Sequence, residues 1–561
     1  MHISEKKSMT VGILLSYASL FIGIVLSIFY SSFVLKSIGS EQYGIRTFGA
    51  SIVSYLSYLA VGMSGAYIRF RFLQKKEKGL EGEKHLNGIF LWFFIAVALL
   101  ALILGAVIIG FFYWGIIPLN ETYGADQKMI LIVVMFIMTL NVAIYFPLSV
   151  FRLFINSEKK FIWLNAVNLI DTILSPIITI IVLMVAPAGS VGAVGVTWIL
   201  LFCNIFIWVL NTIFALIPLK MKTTMKLNRD DFMLFRRIIV FSLITFVITT
   251  STSLNPITDK IVLGFAVDAK TVTIYQFSAV FTTYLSAMCT AISGGFAPWL
   301  IQDVVDGDMD DVERTYNLLL RICYLIVVFI VGGYVVCGQS FVQAWIVDDS
   351  GSIDAISSAQ GHDIYFYSVV LLSCELLTFG PNISVTIHCA ANKHKIPAII
   401  FVGVFAFNVI VSIAVVPLIG VWGCIIATVI SYIIEAVAIS IYNHKVMHMH
   451  VLKSWMSLIR ALLVAIFPIL ATFGIYWLIN SYSGINIGSL SGNQGMNPWY
   501  ETLIRGGTYV ILFIAIELIF DHKFLKEFFQ KFKSSKNVKI KHEEAAIQSE
   551  AAVDSNPINK D

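Results

Sequence analysis

The sequence has 561 residues, of which 58% are hydrophobic and only 13% are charged, and its formal net charge is +4. A water-soluble protein carries about 25% charged residues, so this composition excludes a chain whose main solvent is water and indicates a membrane protein. We expect no nucleic acid among its partners.

Apolar runs long enough to cross about 30 Å of hydrocarbon recur along the chain. They predict helices, because isolated strands cannot satisfy their backbone polar groups in lipid and the runs are too continuous for barrel strands. The fold class predicted is therefore an all-α polytopic membrane protein. In chain order we predict fourteen transmembrane helices, at 11–35, 46–68, 87–113, 129–151, 161–186, 190–217, 238–264, 271–298, 322–340, 364–391, 396–416, 420–443, 458–480 and 502–521.

The first apolar run follows "MHISEKKSMT", and we expect it to be retained as a span because it lacks a clear cleavage site. Most lysines and arginines lie in alternate connections, notably 69–86, 152–160 and 220–237, and in the tail. Positive charges mark the cytoplasmic side. The pattern predicts a multi-pass membrane protein with both termini in the cytoplasm.

The C-terminal tail, 522–561, has two parts. Phenylalanines and lysines alternate at helical spacing in "HKFLKEFFQKFKSSKNVKIK", which is typical of a helix on an anionic membrane surface. The rest of the tail is rich in acidic and small residues, a composition typical of disorder.

Two similar stretches, "GSVGAVGVTWI" (189–199) and "GVWGCIIATVI" (420–430), each follow a proline closely. The glycines are expected to allow tight turns between spans five and six, and between eleven and twelve. With other matched pairs at similar separations, they indicate a parallel repeat of the kind found in transporters with alternating access. We predict a six-helix lobe over 1–217, a basic cytoplasmic linker over 218–237, a second six-helix lobe over 238–443 and two additional helices over 444–521.

The opening "LSYASLFIGIVLSIFYSSFVLKSIGSEQYGI", then "SYLSYLAVGMSGAYIRF", "DKIVLGF" and "PLIGVWGCIIATVISY", resemble the Wzx-type polysaccharide and O-antigen flippases. These belong to the multidrug/oligosaccharidyl-lipid/polysaccharide (MOP) exporter superfamily. The resemblance implies a MATE-like fold of two pseudosymmetric lobes. It also implies that the protein moves an undecaprenyl-diphosphate-linked oligosaccharide from the cytoplasmic to the outer leaflet. Pathway partners would be a polysaccharide polymerase and glycosyltransferases.

Charged residues inside spans are costly and are therefore functional candidates. Asp171 lies deep in span five, beside Asn168 and ahead of Pro176. Glu375 lies at a comparable depth in span ten, Asn382 shares its face, and we expect Gly380–Pro381 to interrupt the helix between them. These carboxylates are candidates to bind a coupling cation, H⁺ or Na⁺. Glu435 in span twelve is a third candidate.

Cationic candidates are fewer, although arginine and lysine are the side chains that match phosphate. Arg46, at the outer mouth of span two, could meet a phosphate. Asp259 and Lys260 either pair with each other or meet substrate. Arg69, like its neighbour Arg71, sets orientation or makes the first headgroup contact. His388 is expected to be a packing residue.

We expect no catalytic residues, no bound metal and no other cofactor. The seven cysteines lie in apolar segments without metal-ligand spacing and are expected to be buried. Three other functions remain open. One is an ion-coupled drug or metabolite exporter of the same superfamily, which the scarcity of cations inside the spans supports. The others are a membrane polymerase or ligase, disfavoured by the short outer loops, and a structural scaffold.

Overall fold

The computed structural model describes residues 2–60, 63–187, 189–224, 254–348, 354–483 and 497–520. These residues form fourteen α-helices and one short 3₁₀ turn, Tyr58–Ala60. The helices are α1 His2–Ile38, α2 Ser40–Ser57, α3 Met63–Tyr113, α4 Ala125–Ser157, α5 Phe161–Val185, α6 Ala193–Leu216, α7 Asn255–Ala266, α8 Ala269–Asp306, α9 Met309–Ile346, α10 Ser358–Ala390, α11 Lys395–Ile419, α12 Val421–Met447, α13 Val451–Ser483 and α14 Pro498–Phe520.

Twelve of these helices are long and apolar enough to cross a membrane, and each corresponds to one predicted span. The all-α polytopic fold class is confirmed. Two helices are not among these twelve. α2 is short and rich in polar residues, and α7 is the end of the seventh predicted span, most of which lies outside the described residues. Much of the predicted linker and all of the tail after Phe520 also lie outside them.

The predicted second span, 46–68, is divided in the structure. α2 ends at Ser57, and α3 begins at Met63 and continues through the predicted connection 69–86 into the third span. Within α3, Gly79 has φ 62° and ψ −143° and kinks the helix. Glycine is suited to this conformation because it has no Cβ.

The turns after α5 and α11 depend on glycine, as the repeated sequence predicted. Gly189 has φ 77° and Gly420 has φ 59°, a region that other residues rarely adopt. Gly420 ends α11 and directly precedes α12, so the chain reverses at one residue. The predicted role of these glycines as tight turns is confirmed.

The predicted interruption at Gly380–Pro381 is wrong, because α10 runs without a break from Ser358 to Ala390. A proline removes one backbone donor, but helices in membranes tolerate it when side chains satisfy the affected turn. Here the Ser384 hydroxyl donates to the Gly380 carbonyl at 2.7 Å. Pro176 likewise lies inside a continuous α5.

The chain divides into two compact units. The larger consists of Met1–Val327 and Phe341–Ser457. Within it, α3 packs on α4, α4 on α6 and α1 on α5, while α8 packs on α10 and α11 on α12. Many large apolar side chains on the outer faces of these helices are exposed, as expected for helices that face lipid.

The smaller unit consists of Val328–Ser340, from the middle of α9, and Leu458–Asp561. Tyr509 of α14 is buried against Gly332 and donates to the Val328 carbonyl at 3.3 Å. Arg505 pairs with Glu501 at 3.0 Å and lies over the Tyr476 ring. Helices in lipid are held together by hydrogen bonds between polar groups and by van der Waals packing where small residues let them approach closely.

Candidate functional site

The helices of the two predicted lobes meet where α1 turns into α2. The backbone N–H of Ser40 donates to the Asp354 carbonyl at 2.9 Å, and Thr273 of α8 donates to the Ser40 carbonyl at 2.6 Å. The indole N–H of Trp345, near the end of α9, donates to the Ile28 carbonyl at 2.7 Å. This end of the interface is therefore closed by direct hydrogen bonds.

Tight packing continues along α2. A Cβ on Gly44 would lie 2.5 Å from the carbonyl carbon of Ala269, so the backbones of α2 and α8 touch. Phe48 is fully buried and packs edge-on against Phe265 of α7, with ring centroids 5.2 Å apart. Further along, the hydroxyls of Tyr55 and Thr258 share a short hydrogen bond. α2 is thus the element of the first lobe that lies against α7 and α8.

Arg46 lies in this interface, on the only helix that makes those contacts extensively among the described residues. Its side chain is half-buried, and its Nε is buried without a hydrogen-bond partner among them. The guanidinium acts electrostatically on Tyr43, whose ring packs against Phe277 of α8 at 5.2 Å. A buried guanidinium N–H without an acceptor is costly, so this position suits an anionic ligand.

Asp259 lies in a buried polar pocket between α7, α8, α11 and α12. Its carboxylate accepts hydrogen bonds from Tyr275 at 2.6 Å, Thr428 at 3.1 Å and Ser412 at 3.4 Å. Only 1% of the residue is exposed. The adjacent Lys260 does not pair with it but donates to Gln276 at 3.0 Å.

Asn408 completes this pocket. Its side-chain N–H donates to Thr428 at 3.2 Å, whereas its Oδ1 is buried without a partner. Oxygen ligands of this kind suit a hard cation or a proton. Four helices thus surround a carboxylate with neutral donors, together with one orphaned acceptor.

Glu375 and Glu435 are a second pair of buried carboxyls in the same lobe. They are 7% and 8% exposed, and Glu375 of α10 acts electrostatically on Glu435 of α12. Glu375 accepts from Thr378 at 3.0 Å. Asn382, predicted on the same face as Glu375, is exposed whereas Glu375 is buried.

Asp171 of the first lobe has a different environment. Asn168, one turn earlier on α5, accepts a hydrogen bond of 2.7 Å from Arg152 of α4, and the same guanidinium acts on the Asp171 carboxylate. Asp171 in turn acts on Cys203 of α6, so it faces the helices of its own lobe. Sequence reasoning missed Arg152, which it counted as a charge of the connection that follows α4.

Arg71 is not available to a headgroup. It is 2% exposed and pairs with Glu83 at 2.5 Å and with Glu158, while its guanidinium lies 4.4 Å from the centre of the Phe154 ring. The side chain of Arg69 lies outside the described part of the structure. His388 is fully buried, and its Nε2 hydrogen-bonds Asn443 at 2.7 Å.

Among the described residues, no group of three or more histidine, cysteine, aspartate or glutamate side chains could hold a metal ion. Four polar sites of the described residues are candidates for ligand binding: the interface around Arg46, the pocket around Asp259, the pair Glu375–Glu435 and the set Arg152–Asn168–Asp171.

Solved transporters share this fold. The structure aligns with a lipid II flippase, MurJ, in an inward closed conformation, with a TM-score of 0.67 over 92% of this chain and 100% of that one, at 15% identity. It aligns with an inward-facing multidrug resistance MATE family transporter of the MOP superfamily, with a TM-score of 0.58, over 80% and 98% of the two chains, at 13% identity.

A MOP superfamily transporter from Pyrococcus furiosus gives a TM-score of 0.51, over 77% of this chain and 96% of that one, at 13% identity. No family model and no curated protein matches the sequence. The expected MATE-like fold is confirmed, whereas membership of the MOP superfamily and the resemblance to the Wzx branch stay predictions.

Proposed function

We propose that this multi-pass membrane protein is a flippase for an undecaprenyl-diphosphate-linked oligosaccharide, such as a repeat unit of O-antigen, capsule or exopolysaccharide. It carries its substrate from the cytoplasmic to the outer leaflet of the bacterial inner membrane by alternating access, with both termini in the cytoplasm. A polysaccharide polymerase and glycosyltransferases of the same pathway are its proposed partners.

The observation that carries this proposal is the position of Arg46. A diphosphate needs a cation that the protein does not itself neutralise, and the Arg46 Nε is buried without an acceptor among the described residues. The helix that carries it packs against both α7 and α8 of the other lobe. A headgroup bound there would contact the interface that must open and close.

In the proposed orientation, the hydrogen bonds from Ser40 and Thr273 close the outer end of the interface. This corresponds to the state that receives substrate from the cytoplasm. A MurJ structure described as inward closed and a MATE structure described as inward-facing are among the similar structures, which agrees with this assignment.

We propose H⁺ or Na⁺ as the coupling cation and the Asp259 pocket as its site. The Asp259 carboxylate, the Thr428 and Ser412 hydroxyls and the orphaned Asn408 Oδ1 provide oxygen ligands. The described residues form no ion pair with Asp259, although Lys260 lies within its electrostatic reach, so a mobile cation would compete with Lys260 for its charge.

An ion-coupled drug or metabolite exporter is the second candidate. The scarcity of unpaired cations favours it, because Arg71 is neutralised by Glu83 and Glu158. A cationic or neutral substrate would not need Arg46.

The test is export in the host strain from which the gene has been deleted. Deletion should cause lipid-linked oligosaccharide to accumulate in the inner leaflet, and the wild-type gene should clear it. Arg46→Ala should lower clearance by about tenfold or more, and Arg46→Lys should restore part of it. Arg314→Ala is the matched control, because Arg314 is exposed and, among the described residues, pairs only with Asp311 of its own helix. Normal clearance by Arg46→Ala at equal protein levels would refute the headgroup site.

A further inference from the structure

Asp259 is buried and Asp171 is partly buried, and the two carboxylates differ in the groups around them. Asp259 is surrounded by hydroxyl donors from Tyr275, Thr428 and Ser412. Asp171 has no hydrogen bond from a described residue, but an arginine of the adjacent helix lies within electrostatic reach. Asp259 in turn acts electrostatically on Lys260, whose ammonium can lose its proton when buried, whereas a guanidinium cannot. The two sites therefore differ in the kind of cation that the protein itself supplies.

Arg152 is held beside Asp171 by geometry. Its Nη2 donates to Asn168 Oδ1 at 2.7 Å, and Asn168 lies three residues before Asp171 on α5. Side chains at this spacing are neighbours on one helix face. The guanidinium is thus fixed on the same face as the Asp171 carboxylate by a bond to a neutral residue.

The other helices packed on α5 bring no competing charge to this site among the described residues. α6 contributes the Cys203 thiol, and α1 contributes Ser19, which lies 3.5 Å from Thr172. Arg152 is therefore the one charged group of the described chain that acts on Asp171.

We propose that Arg152 is a resident counter-ion of the first lobe, taking the place beside Asp171 that a coupling cation takes beside Asp259. The proposal rests on the cation coupling proposed above. It assigns ion dependence to the second lobe alone. The sequence predicted that Asp171, deep in span five, binds a coupling cation. In this proposal its charge instead neutralises Arg152.

The physical reason is that a guanidinium is permanently charged and covalently attached. It cannot dissociate to either side of the membrane, so it adds nothing to the dependence of transport on sodium or pH. Arg152 and Asp171 are partly buried, so removing one of the two charges leaves the other poorly compensated, whereas removing both restores neutrality. Charge compensation and cation coupling therefore predict opposite results for a double variant.

The first experiment measures export at equal membrane levels for Asp171→Asn, Arg152→Gln, the double variant and Arg152→Lys. Each neutralising single variant should lose about tenfold or more, and the double variant should return to within about threefold of wild type. Arg152→Lys keeps the charge and should stay near wild type. A double variant as inactive as Asp171→Asn would overturn the proposal.

The second experiment needs no substrate. The purified full-length protein in nanodiscs is melted over a range of sodium concentrations and pH values. Wild type and Asp171→Asn should show the same cation-dependent rise in melting temperature, and Asp259→Asn should lose it. Loss of the rise in Asp171→Asn would also overturn the proposal. If wild type shows no rise, the cation coupling fails instead, and the double-variant rescue alone decides the role of Arg152.

Discussion

Gly44 lies where α2 meets the first turn of α8, and replacing it by alanine should force these helices apart. The added Cβ would lie 2.5 Å from the Ala269 carbonyl carbon, closer still to its oxygen, and 2.8 Å from the Thr273 hydroxyl. Ordinary contacts begin at 3.4 Å, and the oxygen is the nearest atom, so the helices must separate by about 1.5 Å. A backbone carbonyl cannot rotate away as a side chain does.

The cost falls on the closed outer interface, because in the proposed cycle this contact is lost when the outer end opens. Overpacking of this kind costs about 1–3 kcal/mol. A penalty of that size on one of two states changes their ratio by about 5- to 150-fold. Gly44→Ala should therefore shift the protein toward the outward-open state.

A cysteine reporter at Thr273 measures this shift. Thr273 is fully buried at the interface, whereas Cys389 is the exposed native cysteine and is first replaced by serine. Thr273→Cys removes the hydrogen bond to Ser40 from every protein compared, so only the difference between their labelling rates is used. A membrane-impermeant maleimide added outside intact cells should label Thr273→Cys slowly in the Gly44 protein and much faster in the Gly44→Ala protein.

Gly403→Ala is the matched control, because a Cβ on Gly403 meets no atom within 4 Å. It should leave the labelling rate unchanged. Equal rates for Gly44→Ala and Gly403→Ala, with export intact in both, would refute the close approach of α2 and α8 or its loss during the cycle.

Two further predictions concern stability and pH. Among the described residues, Arg71→Ala leaves the nearly buried Glu83 with only Lys75, at 3.4 Å. The free energy of unfolding should therefore fall by about 3–5 kcal/mol, measured as a lower melting temperature. Arg314→Ala removes an exposed pair and should change it little, and equal effects of the two substitutions would contradict this prediction. Burial, and then the charges of Asp354 and Asp268, raise the pKa of Glu41, which precedes the predicted span of α2. The closed interface thus favours the protonated carboxyl, is stabilised as the outer pH falls through this raised pKa and is weakened as the pH rises through it. Maleimide reacts with the thiolate, so the labelling rate of Thr273→Cys is divided at each pH by that of the same cysteine in the unfolded protein. The normalised rate should increase with pH and lose this dependence in Glu41→Gln. An identical slope in Glu41→Gln would show that another group titrates.

The spans were predictable from sequence because lipid leaves few alternatives to an apolar helix. α2 was the least regular of them, and the structure gives the reason. Its polar and small residues, such as Ser40, Gly44 and Arg46, lie against the other lobe rather than lipid. The kink at Gly79 was also missed, because the charged connection around it is helical and hydropathy does not distinguish such a helix from a loop.

The candidate site was only partly predictable. Asp259 could be found as a charge near a span, but its partners Ser412 and Thr428 lie 153 and 169 residues away in sequence. The spacing of four between Asn408 and Ser412, on one helix face, was a usable signal. Arg152 was missed because charge counting assigns an arginine near a helix end to the aqueous connection, although its long side chain can reach back along the helix.

Thr258 and Asp259 are consecutive residues of α7, about 100° apart around the helix, and they contact different neighbours. Asp259 faces the hydroxyls of α11 and α12, while Thr258 is hydrogen-bonded to Tyr55 of α2 across the lobe interface. A helix is rigid over two residues, so a cation that draws Asp259 toward Thr428 and Ser412 also displaces the hydroxyl that holds α2. A cation can shift the transport equilibrium only through a difference in its affinity for the two states. In the proposed mechanism, the link between Asp259 and Thr258 makes the cation affinity differ between the two states. It thereby couples cation binding to the position of α2, the helix that carries Arg46.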